Sequence, residues 1–306
     1  MEMETKNKTI KLITHNGSFH ADDIFAAATL SLMLEKKGEN FEIIRTRDSE
    51  IIKTGNYVFD VGGIYDADAN RFDHHQKGGA GTRENGIEYS SFGLIWKKFG
   101  KELCGSEEIA EIIDEKLVTP VDANDNGIDL SKNNYKNVFP YTIDNIFSIF
   151  SPTSLEDIDK DIQFFKVLIW AKEILSREIK KANDKTKITE IIQNFYRNSN
   201  DKRLVIIDSP EVSRYEVWDA LQDFSEPLFV VYKTEEWRIV AMRLDYNSFK
   251  NRKDFPIAWA GLREEELQKI TGVPDATFCH RGLFLAGAKT KEGAIKLTEL
   301  ALNTSA

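Results

Sequence analysis

Cysteine is nearly absent: Cys104 and Cys279 are the only two in 306 residues, they stand far apart, and neither belongs to a CxxC pair. That excludes a disulfide-stapled scaffold and thiolate-held metal or iron–sulfur chemistry, and leaves two ordinary reduced thiols. No apolar run reaches the length needed to span a bilayer, and the opening MEMETKNKT lacks the apolar stretch of a secretion signal. A cytoplasmic protein with no membrane partner is therefore expected. Basic charge is also short. A net charge of −9 excludes a protein that coats long nucleic acid through a broad cationic surface. It leaves room for a short anionic substrate in a local site, and for a divalent cation drawn to acidic groups.

With 41% apolar and 30% charged residues and no low-complexity run, the chain has the composition of a globular protein long enough for two domains. Its first third alternates strand-like and helical stretches, the pattern of a parallel sheet flanked by helices. TIKLITH (9–15), FEIIRTRD (41–48) and NYVFDVGG (56–63) read as strands. DDIFAAATLSLMLEKKG reads as an amphipathic helix stopped by Gly38, and IEYSSFGLIWKKFG (87–100) as a second helix stopped by Gly100. Residues 105–119 form a further helix that runs into a loop, VTPVDANDNGIDL, and 153–198 is helix-rich with Ser154 as its N-cap. After the linker NSNDK (198–202) come strands RLVIID, LFVVYK and WRIVAMRL, the last two as a hairpin, then TFCHRGLFLAG and a closing helix. The expected fold is α/β: a sheet domain over 1–130, a helical elaboration or bridge over 131–200, and a smaller α+β domain over 201–306.

Histidine is scarce, five in all, yet four lie in the first 75 residues, in two short motifs that each also carry aspartate. THNGSFHADD supplies His15, His20, Asp22 and Asp23, and FDHHQ supplies Asp73, His74 and His75. Asp60 in VFDVGG and Asp122 in TPVDANDNG follow ordered runs. Ligands of open parallel sheets bind beyond the carboxyl ends of the strands, so these separate motifs can converge. Imidazole mixed with carboxylates and no thiolate suits manganese, cobalt, iron or zinc. The donors are too many for one tetrahedral ion, and two ions roughly 3.5–4 Å apart, sharing a carboxylate, would use them all.

HNGSFHADD, IRTRD, VFDVGG, YDADANRFDHHQ, SSFGLIWKKFG and VDANDNG, in this order and spacing, resemble the Myg family (melanocyte proliferating gene), a branch of the DHH phosphoesterase superfamily. The likeness extends to FPIAWAGLREEELQKITG and FCHRGLFLAGAKTKEGA, and is weakest over 131–250. It implies a DHH-type sheet and two divalent cations, manganese first, with cobalt, iron, zinc or magnesium as alternatives. It implies that His15, His20 and Asp60 hold one ion and that Asp22, Asp60, His74 and Asp122 hold the other, with Asp60 as bridge. In the wider superfamily an aspartate usually stands at the place of His20, one residue nearer to His15. The resemblance also implies that His75 faces the substrate phosphate while Asp73 orients a ring behind the metal site.

Toward the carboxyl end, His280, Arg281 and Lys289 surround Gly282 and Gly287, a glycine-rich turn that reads as leading into a helix amino end, where an anion can sit. Arg263 is a second phosphate candidate through its planar guanidinium. This region is expected to bind the rest of the substrate and close over the metals. Other residues have plainer readings. Asp23 is expected to answer the helix dipole, and Asp122 is preferred to Asp125 as ligand. Asp66 and Asp68 are read as solvated turn residues, and Phe92, Leu94, Ile95 and Trp96 as core. Lys250, Arg252 and Lys253 are read as a solvated loop, or as the entrance for a strand.

The resemblance implies a two-metal phosphodiesterase, an exonuclease or oligonucleotidase on short single strands, with a homo-oligomer left open. A small-molecule phosphoesterase or pyrophosphatase is the alternative enzyme, and a metal-binding regulatory protein with little turnover is the alternative outside enzymology.

Overall fold

Five residues with Leu12 and Ile13 fully buried make β1 (Ile10–Thr14) in the computed structural model, which describes residues 9–245 and 248–304. The first eight residues, on which the reading of the amino terminus largely rests, lie outside that set. Beyond β1 comes α1 (Ala21–Lys37), stopped by Gly38 in the left-handed conformation (φ 69°) that glycine adopts without penalty. β2 (Phe41–Arg45) is followed by the short α2 (Ser49–Ile52), whose amino end is capped by the Asp48 carboxylate accepting from Glu50 N (2.8 Å). β3 (Tyr57–Phe59), β4 (Tyr65–Asp66) and β5 (Arg71–Phe72) complete a sheet of order β2-β1-β3-β5-β4. Every pairing in it is parallel except that of the edge strand β4. The parallel sheet of an α/β fold is therefore present.

α3 (Ser91–Cys104) begins later than the sequence pattern predicted and runs through Gly100 to a left-handed Gly105 (φ 75°). Gly100 is not a stop but a contact point: a Cβ there would lie 2.8 Å from the buried Trp96 ring. α3 packs on α1, with Phe92 stacked on Phe25 at 5.1 Å, and Phe92, Leu94, Ile95 and Trp96 lie in the core as expected. Burying each such side chain contributes about 1.5–3 kcal/mol. α4 (Glu107–Ile113) passes through one π-helical turn, Asp114–Val118, into α5 (Thr119–Asp125). VDAND is thus helical rather than part of the predicted loop. Pro120 suits the first turn of α5, and Val121 and Ala123 are buried, so packing overrides the weak helix preference of Asp and Asn.

α6 (Ile143–Ser148) is capped by Thr142, whose Oγ1 accepts from Asn145 N (3.3 Å). α7 (Lys160–Asn198) has 39 residues and starts after Ser154, which lies in a turn and is not its cap. The chain forms two compact units, Met1–Asn183 and Asp184–Ala306, with the division inside α7.

The second unit contains β6 (Leu204–Ile207), α8 (Arg214–Leu221), β7 (Phe229–Lys233), β8 (Trp237–Ala241), α9 (Glu264–Thr271), β9 (Ala276–Cys279), β10 (Leu285–Ala288) and α10 (Lys291–Asn303). Its sheet runs β6-β7-β8-β10-β9, with only β6 and β7 parallel. The expected β7–β8 hairpin forms, Val231 facing Ile239. Leu267 of α9 and Leu297 of α10 share one core with Val231 and Ile239, while Val217 and Trp218 of α8 share another with Val230 and Val240. Among the described residues no helix is long and apolar enough to cross a membrane.

Candidate metal centre

Three neighbouring parallel strands place their following residues together: His15 follows β1, Asp60 follows β3, and Asp73, His74 and His75 follow β5. Asp60 is buried at the middle. Its Oδ2 lies 3.0 Å from His15 Nε2, and its Oδ1 lies 3.3 Å from His74 Nε2 and 3.5 Å from His75 Nδ1. Asp60 also holds a left-handed backbone (φ 55°), a strained conformation for a residue with a Cβ. Ser91 at the start of α3 braces it: Oγ is 3.1 Å from Asp60 Oδ1 and donates to the Phe72 carbonyl (2.8 Å). Burial alone would raise the Asp60 carboxyl, but hydrogen bonds and charge from His15 and His74 outweigh it and hold it well below the usual carboxylate range.

His15 Nδ1 donates to the Asn16 carbonyl (3.1 Å), which turns Nε2 toward Asp60 and toward Asp23 Oδ2 (3.3 Å). Burial would lower this imidazole, but the Asp23 and Asp60 carboxylates raise it to about 10. Asp23 therefore does more than answer the helix dipole. Its Oδ1 accepts from His20 N (2.9 Å), closing the amino end of α1, while Oδ2 faces His15. The loop that carries His15 and His20 is tied down by buried Arg45, which donates to the Gly17 carbonyl (3.0 Å) and stacks on Phe164 (4.4 Å).

Asp22 and Asp125 complete the cluster. Asp125 Oδ2 lies 3.3 Å from His74 Nε2, and Asp22 Oδ2 lies 4.0 Å from it. Both Asp22 oxygens are buried without a hydrogen-bond partner. Burial first, then the charges of Asp60, Asp125 and Asp23, push the Asp22 carboxyl well up. A buried acceptor without a donor is costly, and a cation is the partner that four neighbouring carboxylates share. Three groups of ligand atoms lie within 4.8 Å of one another: His15, Asp23 and Asp60; Asp60, His74 and His75; His20, Asp22 and Asp125. Oxygen and imidazole donors, one carboxylate common to two groups, and unpartnered buried acceptors fit divalent cations.

Two of the expected positions differ. His20 groups with Asp22 and Asp125 rather than with His15 and Asp60. Asp122, preferred in the sequence reading, points away from the cluster. Its Oδ2 takes Arg83 Nη1 (2.5 Å), and its Oδ1 takes Ser90 Oγ (2.5 Å) and Gly93 N (3.0 Å). Burial pushes its carboxyl up to about 6 against the Arg83 charge. Asp122 and Asp125 stand one turn apart on α5, and the later one meets His74.

His75 has a side chain 63% exposed, with Nδ1 donating to Asp73 Oδ1 (2.8 Å). Asp73 thus orients His75 rather than His74, and its Oδ2 accepts from Gly63 N (2.6 Å). A cavity of about 680 Å³ beside them is lined by His15, His20, Arg47, Asp60, Gly62 and His75, among others. Arg47, Ser91 and the role of Asp23 were missed in the sequence reading, although Arg47 and Ser91 stand inside the motifs IRTRD and SSFG.

Residues 11–302 match the MYG1 exonuclease family model, described as uncharacterised protein family UPF0160. The chain belongs to this family. A MYG1 protein of Dictyostelium discoideum is 29% identical over 97% of each chain. A MYG1 protein of Chlamydia pneumoniae is 32% identical over 94% of this chain and 95% of its own. The human MYG1 exonuclease is 29% identical, covering 94% of this chain and 85% of its own. Among solved structures, exonuclease RecJ bound to manganese aligns over 98% of this chain and 91% of its own at 12% identity, with a TM-score of 0.29, too low to carry weight.

In this MYG1 family member the carboxyl-terminal candidates lie in the second unit. His280, Arg281 and Gly282 form the turn between β9 and β10, with Gly282 N donating to His280 Nδ1 (3.0 Å). That turn joins two strands and does not lead into a helix, and Gly287 lies within β10. The helix that follows is α10, and its amino end is already occupied: Asp275 Oδ2 accepts from Thr290 N (2.8 Å) and Thr290 Oγ1 (2.6 Å). Lys289 is exposed beside it. Arg263 precedes α9, its guanidinium 5.9 Å from the Phe278 ring. Arg252 is no solvated loop charge, since its guanidinium donates to the carbonyls of Gln222, Phe224, Pro227 and Arg243.

Proposed function

We propose that this chain is a divalent-metal-dependent phosphodiesterase acting as an exonuclease on short single-stranded nucleic acid, with manganese as its first ion. The observation that carries the reading is Asp60, a strained, buried carboxylate facing His15 with one oxygen and His74 with the other. Relatives named MYG1 exonuclease in human and rat support it. In this reading His15, Asp23 and Asp60 would hold one cation, and Asp22, Asp60, His74 and Asp125 the other, with His20 beside Asp22. Bound there, the cations would supply Lewis-acid charge to a phosphoryl group and acidity to a water near phosphorus.

The chain's own groups do the rest. Asp73 fixes the His75 ring at Nδ1, leaving Nε2 on the open side to donate to a phosphate oxygen as negative charge develops. Arg47, at the cavity wall, anchors a neighbouring phosphate through its planar fork. Gly63, at φ 67°, brings its N–H against Asp73 where a side chain would be strained. Arg263, His280, Arg281, Gly282 and Lys289 in the second unit are assigned to the substrate beyond the reacting phosphate.

A small phosphate ester or pyrophosphate is the second reading, favoured by a cavity whose volume suits a small molecule. The test incubates manganese-loaded protein with end-labelled RNA, labelled DNA and pyrophosphate, beside Asp60→Asn. Asparagine tolerates the left-handed backbone, so the variant folds. Stepwise shortening of a strand is expected, falling at least about a thousandfold in the variant. Equal activity in the variant would reject the mechanism, cleavage of pyrophosphate alone would favour the second reading, and metal binding without turnover would favour a regulatory protein.

A further inference from the structure

In the second unit, α8 opens with Arg214 and Tyr215, and the segment after β8 carries Arg243 and Phe249. Their side chains and Trp218 make one surface. The Arg214 guanidinium lies 4.8 Å from the Tyr215 ring centre and 5.9 Å from that of Trp218. Arg243 lies 4.0 Å from the Trp218 ring and 5.3 Å from Phe249. Trp218 is the floor: only 6% exposed, it donates from Nε1 to the Ala241 carbonyl (3.0 Å) and meets Tyr215 edge-on at 5.7 Å. Tyr215 and Phe249 rise from it, 58% and 90% exposed.

Packing accounts for Trp218, but ion pairing does not account for the two arginines nor burial for the exposed rings. The ion pairs of the second unit take Lys185, Arg203, Arg238, Lys291 and Lys296, and among the described residues no carboxylate pairs with Arg214 or Arg243. Arg214 Nε is buried without a hydrogen-bond partner, and Nη2 donates to the Tyr215 hydroxyl (2.8 Å). Two guanidinium groups without a carboxylate partner among the described residues, in a chain of net charge −9, offer positive charge to an anion from outside. Arg252 keeps the segment in place by donating from Nε to the Arg243 carbonyl (2.9 Å) and from Nη2 to that of Gln222 (2.9 Å).

We propose that Arg214, Tyr215, Trp218, Arg243 and Phe249 form a platform that holds a single nucleic-acid strand, bases stacked on the exposed rings and phosphates against the two guanidinium groups. This deepens the exonuclease reading and rests on it for the choice of a strand. Flat exposed rings alternating with planar cations fit a ligand that is itself alternately aromatic and anionic. An acidic peptide would use the cations and leave the rings idle.

The test measures fluorescence anisotropy of labelled single strands of about 12 nucleotides, RNA and DNA separately, titrated with the full chain in EDTA so that no cleavage occurs. A duplex and an acidic peptide serve as further ligands. Tyr215→Ala and Phe249→Ala are each expected to weaken strand binding about 5- to 100-fold, with Tyr215→Phe staying near wild type. Arg243→Gln is expected to weaken it and to reduce the salt slope by about one. RNA held much more tightly than DNA would name the sugar without altering the platform. Strand binding unchanged in the alanine variants, no strand binding by wild type, or duplex or peptide binding as tight as the strand would each overturn the proposal. Cleavage by wild type with manganese is scored separately: cleavage with intact binding in the variants removes the platform alone, and lost binding without wild-type cleavage removes the exonuclease reading alone.

Discussion

Asp22 shows how a single side chain reports on a missing positive partner: two buried, unpaired oxygens beside three further carboxylates cost the metal-free fold stability. Asp22→Asn should therefore raise the metal-free Tm, by about 2–3 °C for one to two kcal/mol in a chain this long, while abolishing the rise that manganese gives wild type. Differential scanning fluorimetry with and without manganese reads both signs, and a variant that melts lower without metal would contradict the first. Asp122 and Asp125 separate in the same way. Asp122→Ala leaves the Ser90 and Gly93 donors unpaired and Arg83 with Asp114 as its one remaining carboxylate, a loss of about 2–4 kcal/mol in urea unfolding, whereas Asp125→Ala leaves the midpoint near wild type and removes the manganese response. Burial pushes Cys104 up to about 11 and Cys279 up to about 12, so both thiols should resist alkylation in the native protein at pH 8 and react once it is unfolded. Rapid labelling of either in native protein, read by mass spectrometry, would contradict this. Residue types announced the chemistry here, because scarce histidines beside aspartates have few other uses. They did not separate Asp122 from Asp125, since only the direction of each side chain on α5 does that.

Helix ends were harder to read than helix existence. α1 stops where its glycine predicts, but α3 meets two candidate stops, and which of them ends it depends on contacts elsewhere: Gly100 is needed against the Trp96 ring and Gly105 for its left-handed backbone. Both can be tested by circular-dichroism unfolding. Gly105→Ala should cost about 1 kcal/mol from backbone strain alone, and Gly100→Ala about 1–3 kcal/mol from overpacking against a ring that is buried and cannot withdraw. Gly100→Ala at or above wild-type stability would revive it as a stop. The strand-ended motifs were readable because apolar runs mark strands, and parallel strands carry function at their carboxyl ends. The β9–β10 turn misled for a related reason: HRG before apolar residues has the composition of a helix approach, and only the pairing of Ala286 with Cys279 makes it a hairpin. Gly93 is explained only by contact, since a Cβ there would come 1.8 Å from Asp122 Oδ2.

Across the whole molecule, two compact units divide inside one 39-residue helix, a boundary that no change in composition marks. The linker-like NSNDK instead begins at the last residue of that helix and leads into β6. Hydrogen exchange followed by mass spectrometry should resolve the units. Manganese alone is expected to slow exchange around residues 10–25, 57–75 and 119–126 without altering 204–303, and a bound strand should then protect 214–221 and 243–252. Strand-induced protection confined to the first unit would contradict the second part. The candidate ligands run from His15 to Asp125, so about two fifths of the polypeptide must be synthesised before the last of them exists. A nascent chain arrested ahead of α5 carries three crowded aspartates and no Asp125 to complete the group around His20. Full metal loading is thereby deferred until that part of synthesis is done, and a gene fragment ending near residue 110 should take up less manganese than the full chain and gain less protection from protease.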